Sequence, residues 1–519
     1  MRQPISGKLS VHGHATTNSE SNFDSQPQTS DRSGAMSLRQ ILPNSRFHAG
    51  DDVRFHGVCE KPSEVSPGEL VVYRIGEVDP ARLVADALAR GAAGILTEQV
   101  LPCPLPQCIV GELDLAMASV FSSLRDRPDQ KLLTIGVVGS AGKTTTSLLI
   151  ANLFRSQKIR TAFQTDLGSS DGVLQSTEDS NLPSARELVD WMSDAVDCES
   201  QVAVVELRDD DARHGRYDCV QFDMIIVTGS TLNNDDFGPS SLSCVLDRLT
   251  PEGIVVAPVD DTRAMRVIGD AGVRSFTYGV RKSADITAKM IEQADGMSTL
   301  LVSHEDESAV METSLCGGAM AANHAAAIAV GLLVDWPLYE ICELLGKLRV
   351  VPGRQDRISR YGHASVTIDL AGNSDRCSAA MRTARAMKAG GRLWCITAID
   401  ATQDSLSLAR LGGLLERFAD HAIVTSMPDQ KKSFLTASHA VLDGVKECAA
   451  MRLVADSTRA LQWAMAEAKP ADTILVMLNE PSLTAHQART KIEAIKKMVE
   501  TAWDEKEASD PRPKLKVFG

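Results

Sequence analysis

The segment Gly-Ser-Ala-Gly-Lys-Thr-Thr-Thr at residues 139–146 has the residue types and spacing needed to hold a phosphate group. Gly139 and Gly142 let the backbone curl so that several N–H groups can face one anion. A helix predicted over residues 147–156 turns the positive end of its dipole toward the same point. An ordinary glycine-rich turn with an exposed lysine is the alternative, but the flanking strand and helix favour a nucleotide site.

Two side chains of this loop are suited to a nucleotide phosphate. Lys143 is expected to reach the β- and γ-phosphates, and the Thr144 hydroxyl is expected to ligate Mg²⁺. The two glycines lie closer together than in the G-x-x-x-x-G-K-[ST] loop, so the motif is a shorter version of it. The sequence thus predicts a nucleotide bound by Gly139, Ser140, Ala141, Gly142, Lys143, Thr144 and Thr145.

The elements that must position this loop alternate between short apolar strands and helices, a pattern typical of α/β proteins. Three units are predicted, over residues 36–131, 132–351 and 352–503. The central unit contains continuous β-branched runs, which indicate a parallel sheet covered by helices on both faces. Residues 1–35 are too polar to build a core and are predicted to be disordered, and residues 504–519 are predicted to form a charged, loose tail.

The composition limits the functions that this chain can have. The net charge of −14 disfavours general binding to nucleic acid, because an acidic surface repels a phosphate backbone. No apolar run approaches the roughly 18 residues needed to cross a bilayer, and the N-terminus has no apolar signal-peptide core, so we expect a cytoplasmic protein. The 11 cysteines are scattered without a CxxC pair, which predicts reduced core residues rather than disulfides or a zinc site.

The short G-x-x-G-K-T-T loop resembles that of the Mur ligases, the ATP-dependent enzymes that add amino acids to the peptidoglycan precursor. Several further segments resemble the MurE branch, which adds diaminopimelate or lysine to the UDP-MurNAc-dipeptide. They are Val65–Val71 (V-S-P-G-E-L-V), Gly215-Arg216, Phe222-Asp223, Val227-Thr228, Val351–Arg354 (V-P-G-R) and Gly391–Cys395 (G-R-L-W-C). The resemblance implies three domains: a small α/β domain for the UDP substrate, a central parallel-sheet ATPase domain and a C-terminal Rossmann-like domain.

The resemblance also implies a Mg²⁺ site and ATP as the nucleotide. In the family, one Mg²⁺ is held by the loop threonine and by a glutamate after a central strand, which correspond to Thr144 and Glu206. Glu206 follows a strand predicted over residues 202–205, at the sheet edge where ligands bind in α/β folds. A solvated carboxylate at the strand end is the alternative.

Three more residues match family positions that contact the nucleotide. Asn323 corresponds to an asparagine that contacts adenine, Asp369 to an aspartate that contacts ribose, and Arg354 to the arginine of the V-P-G-R linker. For Asn323 the alternative is a polar group at a helix end, and for Asp369 it is a strand-end cap.

The chain departs from the family where a second metal would bind. The family's metal-binding histidine aligns with Asn234, and the acidic residue before it aligns with Asn233. The carbamylated lysine of the family aligns with Arg248, whose guanidinium cannot be carbamylated. Arg248 could instead supply a fixed positive charge, or Asp235 or Asp236 could supply oxygen ligands. The predicted catalytic residues are therefore Lys143, Glu206 and Arg248.

The amino-acid pocket departs from the family as well. After Thr425-Ser426 the chain has Met-Pro-Asp-Gln at residues 427–430, where the family has the diaminopimelate-binding D-N-P-R. Gln430 cannot replace an arginine that binds a carboxylate through two hydrogen bonds. Two hypotheses follow. The chain is an ATP-dependent ligase acting on a UDP-MurNAc-peptide and an amino acid, with altered substrates, or it is a non-catalytic relative that binds nucleotide and acts as a partner or regulator.

Overall fold

A computed structural model describes residues 35–176, 185–229, 241–294, 296–371, 374–387, 390–427, 430–447, 450–478 and 484–509. Residues 1–34 of the predicted N-terminal tail lie outside the described residues. Asn233, Asn234, Asp235 and Asp236 also lie outside them, so the predicted loss or replacement of the second metal site stays a prediction. Among the described residues, no helix combines the length and the apolar character needed to cross a bilayer.

The N-terminal unit is a small α/β domain. A mixed sheet in the order β2-β7-β6-β5-β4 is parallel except at β2, and β1 pairs with β3 in a separate two-stranded ribbon. The elements are β1 Met36–Ser37, α1 Leu38–Ile41, β2 Arg46–His48, β3 Arg54–Phe55, β4 Val58–Cys59, β5 Leu70–Tyr73, α2 Pro80–Ala89, β6 Gly94–Thr97, β7 Gln107–Ile109, α3 Leu113–Leu124 and α4 Pro128–Lys131.

The central unit is built on a large twisted sheet. In the described residues it has the order β11-β10-β9-β12-β8-β13-β14-β15-β16-β17-β18. The elements are β8 Leu133–Val138, α5 Lys143–Ser156, β9 Thr161–Thr165, β10 Gly168–Ser170, β11 Gln175–Ser176, α6 Ala185–Asp197, β12 Val202–Glu206, α7 Asp209–Arg213, β13 Phe222–Val227, α8 Ser241–Leu246, β14 Leu249–Pro258, α9 Thr262–Ala271, β15 Ser275–Gly279, β16 Ile286–Ala294, β17 Met297–His304, β18 Glu307–Thr313, α10 Gly318–Leu333 and α11 Leu338–Gly346.

The middle of this sheet is parallel, as the sequence predicts. Strands β9, β12, β8, β13, β14, β15 and β16 run parallel to one another, and antiparallel strands extend the sheet at both ends. Every residue of β8 is buried, because α5 and α10 pack on one face and the helices of a second apolar cluster pack on the other. This arrangement confirms the predicted α/β class and fixes the direction in which the loop after β8 points.

The C-terminal unit is a second α/β sheet, in the order β19-β20-β24-β21-β22-β23, parallel except for β19. The elements are β19 Asp356–Ile358, β20 Ser365–Asp369, α12 Ser374–Met387, β21 Leu393–Ile399, α13 Ser405–Phe418, β22 His421–Ser426, α14 Phe434–Leu442, β23 Met451–Leu453, α15 Ser457–Glu467, β24 Thr473–Met477 and α16 Ala485–Ser509. Helix α16 includes residues 504–509 of the predicted loose tail. It continues there because Trp503 is buried in the core and Arg360 and His363 contact Asp504 and Glu507.

Candidate functional site

The loop between β8 and α5 requires its two glycines. Gly139 has φ +144°, and a Cβ there would lie 2.4 Å from Thr228 Oγ1. Gly142 has φ +86°, and a Cβ there would lie 2.4 Å from Asn323 Oδ1. Both positions combine a backbone conformation that disfavours side chains with a neighbour too close for a methyl group. The structure therefore confirms a tightly curled loop of the kind that presents backbone N–H groups to an anion.

Two polar contacts fix the shape of this loop. The Thr228 hydroxyl, at the end of the adjacent strand β13, donates to the Ala141 carbonyl at 2.7 Å. The ammonium group of buried Lys143 donates to the Gly139 carbonyl at 3.0 Å. Lys143 also begins α5, four residues before the predicted start, because the left-handed Gly142 caps the helix. The cation and the positive end of the helix dipole thus meet at one point.

Glu206 and Thr144 are brought together as predicted. Strands β12 and β8 are parallel neighbours, so the end of β12 lies beside the loop. Thr144 Oγ1 donates to Glu206 Oε1 at 3.0 Å, and Glu206 Oε2 accepts the Asp166 backbone N–H at 3.0 Å. Burial and the nearby Asp166 carboxylate raise the pKa of Glu206. A bound cation would oppose both effects and lower the pKa of Glu206, because it stabilises the ionised carboxylate.

The donor set fits Mg²⁺ bound together with a nucleotide. A hydroxyl and a carboxylate oxygen are hard ligands, and Mg²⁺ at such sites takes few protein ligands and completes its shell with phosphate and water oxygens. Within the described ranges, no group of three or more His, Cys, Asp or Glu side chains is placed to hold a metal by itself. Thr144 and Glu206 are the residues that would hold the ion.

Asp166 and Arg208 belong to this cluster, although the sequence analysis did not name them as site residues. Arg208 Nε and Nη2 donate to Asp166 Oδ1 at 3.1 and 3.0 Å. Burial of Asp166 opposes its ionisation, but Arg208, Lys143 and Arg354 outweigh that effect and lower its pKa. Asp166 directly follows β9, the strand beside β12, so the strand-end rule that identified Glu206 could also have found it.

The linker to the C-terminal unit also contacts the Thr144 hydroxyl, through Arg354. Arg354 Nη2 donates to Thr144 Oγ1 at 3.1 Å, and Arg354 Nη1 donates to the Leu370 carbonyl at 2.9 Å. Asp369 Oδ2 accepts the Gln355 backbone N–H at 3.0 Å. Burial raises the pKa of Asp369 to about 6, even though Arg354 favours the ionised form. Arg354 therefore connects the linker to the Thr144 hydroxyl, and Asp369 lies nearby. The nucleotide contacts that the resemblance gives to these two residues stay predictions.

Asn323 lies against the phosphate loop. It is buried in the first turns of α10, its Nδ2 lies 3.7 Å from Met320 Sδ, and its Oδ1 is the atom nearest to a Cβ at Gly142. The structure thus joins Asn323 to the predicted cluster. Its contact with adenine stays a prediction.

Arg248 does not join the cluster, so its position does not support the predicted role as a catalytic cation. Its carbonyl accepts the backbone N–H of Phe222, the first residue of β13, whereas the loop contacts Thr228, just beyond the other end of that strand. Its side chain donates to the Asp218 carbonyl at 3.2 Å. Counting residues from Gly238 to Arg248 could not reveal that α8 carries the chain to the opposite edge of the sheet.

Gln430 is already engaged within its own unit. Its side-chain oxygen accepts the Ala401 backbone N–H at 2.6 Å, and its Nε2 donates to Asp400 Oδ1 at 2.8 Å. Pro428 and Asp429 lie outside the described residues. The predicted absence of the family's diaminopimelate clamp therefore stays a prediction.

Comparisons with known proteins find similarity along most of the chain. The model of the Mur ligase middle domain matches residues 137–331, and that of the Mur ligase, glutamate ligase domain matches residues 353–477. The UDP-N-acetylmuramoyl-L-alanyl-D-glutamate–2,6-diaminopimelate ligase of Thermosynechococcus vestitus is 26% identical over 429 residues, covering 80% of this chain and 86% of that protein.

Solved structures show the same fold. A structure of a UDP-N-acetylmuramoyl-L-alanyl-D-glutamate–2,6-diaminopimelate ligase superposes with a TM-score of 0.61 at 18% identity, covering 89% of this chain and 99% of that chain. The MurF ligase of Thermotoga maritima, solved in complex with ADP, superposes with a TM-score of 0.57 at 18% identity, covering 86% and 98%. At these identities the superpositions establish the shared three-domain fold.

Proposed function

Because the chain belongs to the Mur ligase family, we propose that it is an ATP-dependent ligase that joins an amino acid to a UDP-MurNAc-peptide. The observation that carries the proposal is the meeting of Glu206 and Arg354 on the Thr144 hydroxyl, beside the loop that curls around a phosphate site. The printed names of the relatives, which are UDP-N-acetylmuramoyl-peptide ligases, support the substrate class. Since the reaction consumes ATP, the proposed location is the cytoplasm.

The proposed reaction has two steps. A carboxylate oxygen of the peptide attacks the γ-phosphorus of ATP, the bond from that phosphorus to the β–γ bridging oxygen breaks, and an acyl phosphate and ADP form. The amino nitrogen of the incoming amino acid then attacks the acyl carbon, and the carbon–oxygen bond to phosphate breaks. The nitrogen loses a proton, so the products are an amide, ADP and inorganic phosphate.

The loop and its neighbours would carry out the phosphoryl transfer mainly by positioning and by charge. The backbone N–H groups of residues 139–145 and the Lys143 ammonium would bind the β- and γ-phosphates. Thr144 and Glu206 would hold Mg²⁺, which neutralises phosphate charge. Asn323, Arg354 and Asp369 would orient the nucleoside side of ATP. The low exposure of Glu206 and Lys143 would strengthen each of these electrostatic contacts.

We propose that this chain does not bind meso-diaminopimelate in the way that the diaminopimelate-adding ligases of the family do. The segment at residues 427–430 lacks the arginine of D-N-P-R, and Gln430 is held by Asp400 and Ala401. Membership of a family of ligases favours this proposal over a non-catalytic relative that only binds nucleotide.

The proposal is tested by incubating the full chain with Mg-ATP and UDP-MurNAc-L-Ala-D-Glu, with and without each amino acid in turn. We expect one amino acid to stimulate phosphate release and to give a tripeptide product by mass spectrometry. The variant Lys143→Ala should lose this release, whereas Lys131→Ala, at a surface ion pair with Asp126, should retain it. Phosphate release that no amino acid stimulates would refute the ligase function.

A further inference from the structure

Arg208 places a guanidinium group at the edge of the central sheet where the phosphate loop lies. It follows Glu206 by two residues, just beyond the end of β12. Its partner Asp166 donates its backbone N–H to Glu206 Oε2, and Glu206 in turn accepts from Thr144. The guanidinium is therefore connected to the phosphate loop through two residues.

The position of this guanidinium is fixed from both ends of the residue. At the backbone, the Arg208 N–H donates to the hydroxyl of buried Tyr217 at 3.0 Å. At the side chain, Nε and Nη2 both donate to the same oxygen, Asp166 Oδ1. A guanidinium held in this way loses little conformational entropy when it binds a ligand.

Toward the described residues, Arg208 uses only part of its hydrogen-bonding capacity. A guanidinium has five N–H donors, and the hydrogen bonds to described residues use one on Nε and one on Nη2. The side chain is 37% exposed, so part of the group is accessible to solvent. Glu206 is held by the backbone of Asp166 and not by its carboxylate, so Arg208 is not needed to hold Glu206 in place.

We propose that Arg208 is a catalytic residue that binds the carboxylate of the acyl substrate and the acyl phosphate formed from it. The inference deepens the proposed ligase function and rests on it. A guanidinium fork matches the two oxygens of a carboxylate or phosphate. Bringing a carboxylate up to a triphosphate opposes like charges, so a fixed cation beside the γ-phosphate site lowers the barrier to that approach.

The test compares Arg208→Ala and Arg208→Lys with the parent and with Arg160→Ala. Arg160 is a matched control, because it also pairs with a carboxylate, that of Glu199, but at the opposite end of the same strands. Phosphate release gives kcat and the KM for UDP-MurNAc-L-Ala-D-Glu, and calorimetry gives the Kd for Mg-ATP. Thermal unfolding reports whether each variant is folded.

For Arg208→Ala we expect the peptide KM to rise, or kcat to fall, by about ten- to a hundredfold, because a charged hydrogen-bonded pair is lost. The Kd for Mg-ATP should stay within about twofold of the parent, since the nucleotide contacts remain. The KM and kcat of Arg208→Lys should lie between those of the parent and of Arg208→Ala, because lysine retains the positive charge but not the two-pronged guanidinium. Arg160→Ala should match the parent.

Two results would overturn the assignment. Parent-like kinetics in Arg208→Ala would show that the guanidinium does not contact the acyl group. A parallel loss of Mg-ATP affinity and of thermal stability would show that the pair with Asp166 is structural.

If the parent itself ligates no amino acid, the ligase proposal fails. Equilibrium binding of UDP-MurNAc-L-Ala-D-Glu to the parent and to Arg208→Ala then decides. A tenfold weaker affinity of Arg208→Ala supports a contact between Arg208 and the substrate carboxylate. Equal affinities of the two proteins, or no detectable binding to the parent, reject that contact.

Discussion

At the scale of single residues, Lys143 is a buried cation whose ammonium group folds back onto the carbonyl of its own loop. A bound triphosphate would offer this group a charged partner in place of a neutral one. We predict that Lys143→Ala weakens Mg-ATP binding by about 1.5–3 kcal/mol, or roughly ten- to a hundredfold. Calorimetric titration of the variant beside the surface control Lys131→Ala measures the difference. Equal affinity in the two variants would reject the phosphate loop assignment.

Arg248 gives a prediction of the opposite kind. Its side chain contacts Asp218 at the edge of the sheet away from the loop, so its charge should not act on the nucleotide. Arg248→Ala should therefore bind Mg-ATP within about twofold of the parent, because charges this far apart are screened by solvent and salt. The same calorimetric titration tests it. A tenfold loss would mean that the guanidinium reaches the site during binding.

Asp369 makes stability depend on pH. Its folded pKa of about 6 exceeds the ordinary value of 3.8, so between these values the folded state keeps a proton that the unfolded chain has lost. The stabilisation that this proton gives is present at low pH and is lost as the pH rises through the window from about 4 to about 6. The difference of about two pH units corresponds to at most about 3 kcal/mol.

The prediction is tested with Asp369→Asn, which keeps an acceptor for the Gln355 N–H but does not titrate. Urea unfolding midpoints of the parent and the variant are measured from pH 4 to pH 7. As the pH rises, the midpoint of the variant should increase relative to that of the parent, because only the parent loses the stabilisation that the proton gives. Parallel curves across this range would show that Asp369 ionises normally in the folded protein.

At the scale of elements, the turn between β8 and α5 depends on glycine at residue 142. We predict that Gly142→Ala costs about 1–3 kcal/mol of stability and weakens nucleotide binding, because the new Cβ has an unfavourable φ and meets Asn323 Oδ1. Gly269→Ala is the control. That residue lies within α9 with no atom near a Cβ, so the change should stabilise by about 0.5–1 kcal/mol. Thermal unfolding and Mg-ATP titration of both variants make the comparison.

The sequence predicts the buried parallel strands well and the exposed strands poorly. Strand β8 is apolar at most positions because both of its faces are covered, so the sequence marks it by a largely apolar run. Strands β16 to β18 were not predicted. They form an antiparallel extension in which buried and exposed residues alternate, so they lack the continuous apolar run that marked the others.

The same contrast applies to the site. Thr144 and Glu206 could be predicted because parallel pairing brings the ends of β8 and β12 to one edge of the sheet. Asn323 was predicted from the family resemblance alone. Arg248 could not be placed correctly, because the aligned position was reached by counting along a segment that turns back across the sheet. Asp166 was missed because no strand was predicted over residues 161–165, so the strand-end rule was not applied there.

At the scale of the whole molecule, the sequence resemblance predicted the family and the α/β architecture correctly. The two domain matches confirm the family, and the superpositions on solved ligases confirm the fold. The order of units and the loop are retained at this low identity. The resemblance placed Arg354 and Asp369 at the nucleotide, but residue spacing alone could not have joined residues as far apart in the chain as Thr144 and Arg354.

This contact predicts that nucleotide binding acts on the linker between the central and C-terminal units. The Thr144 hydroxyl donates its proton to Glu206 and accepts from Arg354, so Arg354 uses the oxygen that a Mg²⁺ ion would need. A divalent cation at that oxygen would also repel the guanidinium. Binding of Mg-nucleotide should therefore break the Arg354–Thr144 hydrogen bond and release the linker from the loop.

We expect hydrogen exchange of the amides at residues 350–355 to change when a non-hydrolysable ATP analogue is added with Mg²⁺. The change should be much smaller when the analogue is added with a chelator instead, because only the ion competes for the hydroxyl. Thr144→Ser keeps the hydroxyl and should respond as the parent does, whereas Thr144→Val keeps the shape but should show no Mg²⁺-dependent response. An equal response in Thr144→Val would mean that the linker moves for a reason unrelated to this contact, and that Arg354 does not couple the C-terminal unit to the metal.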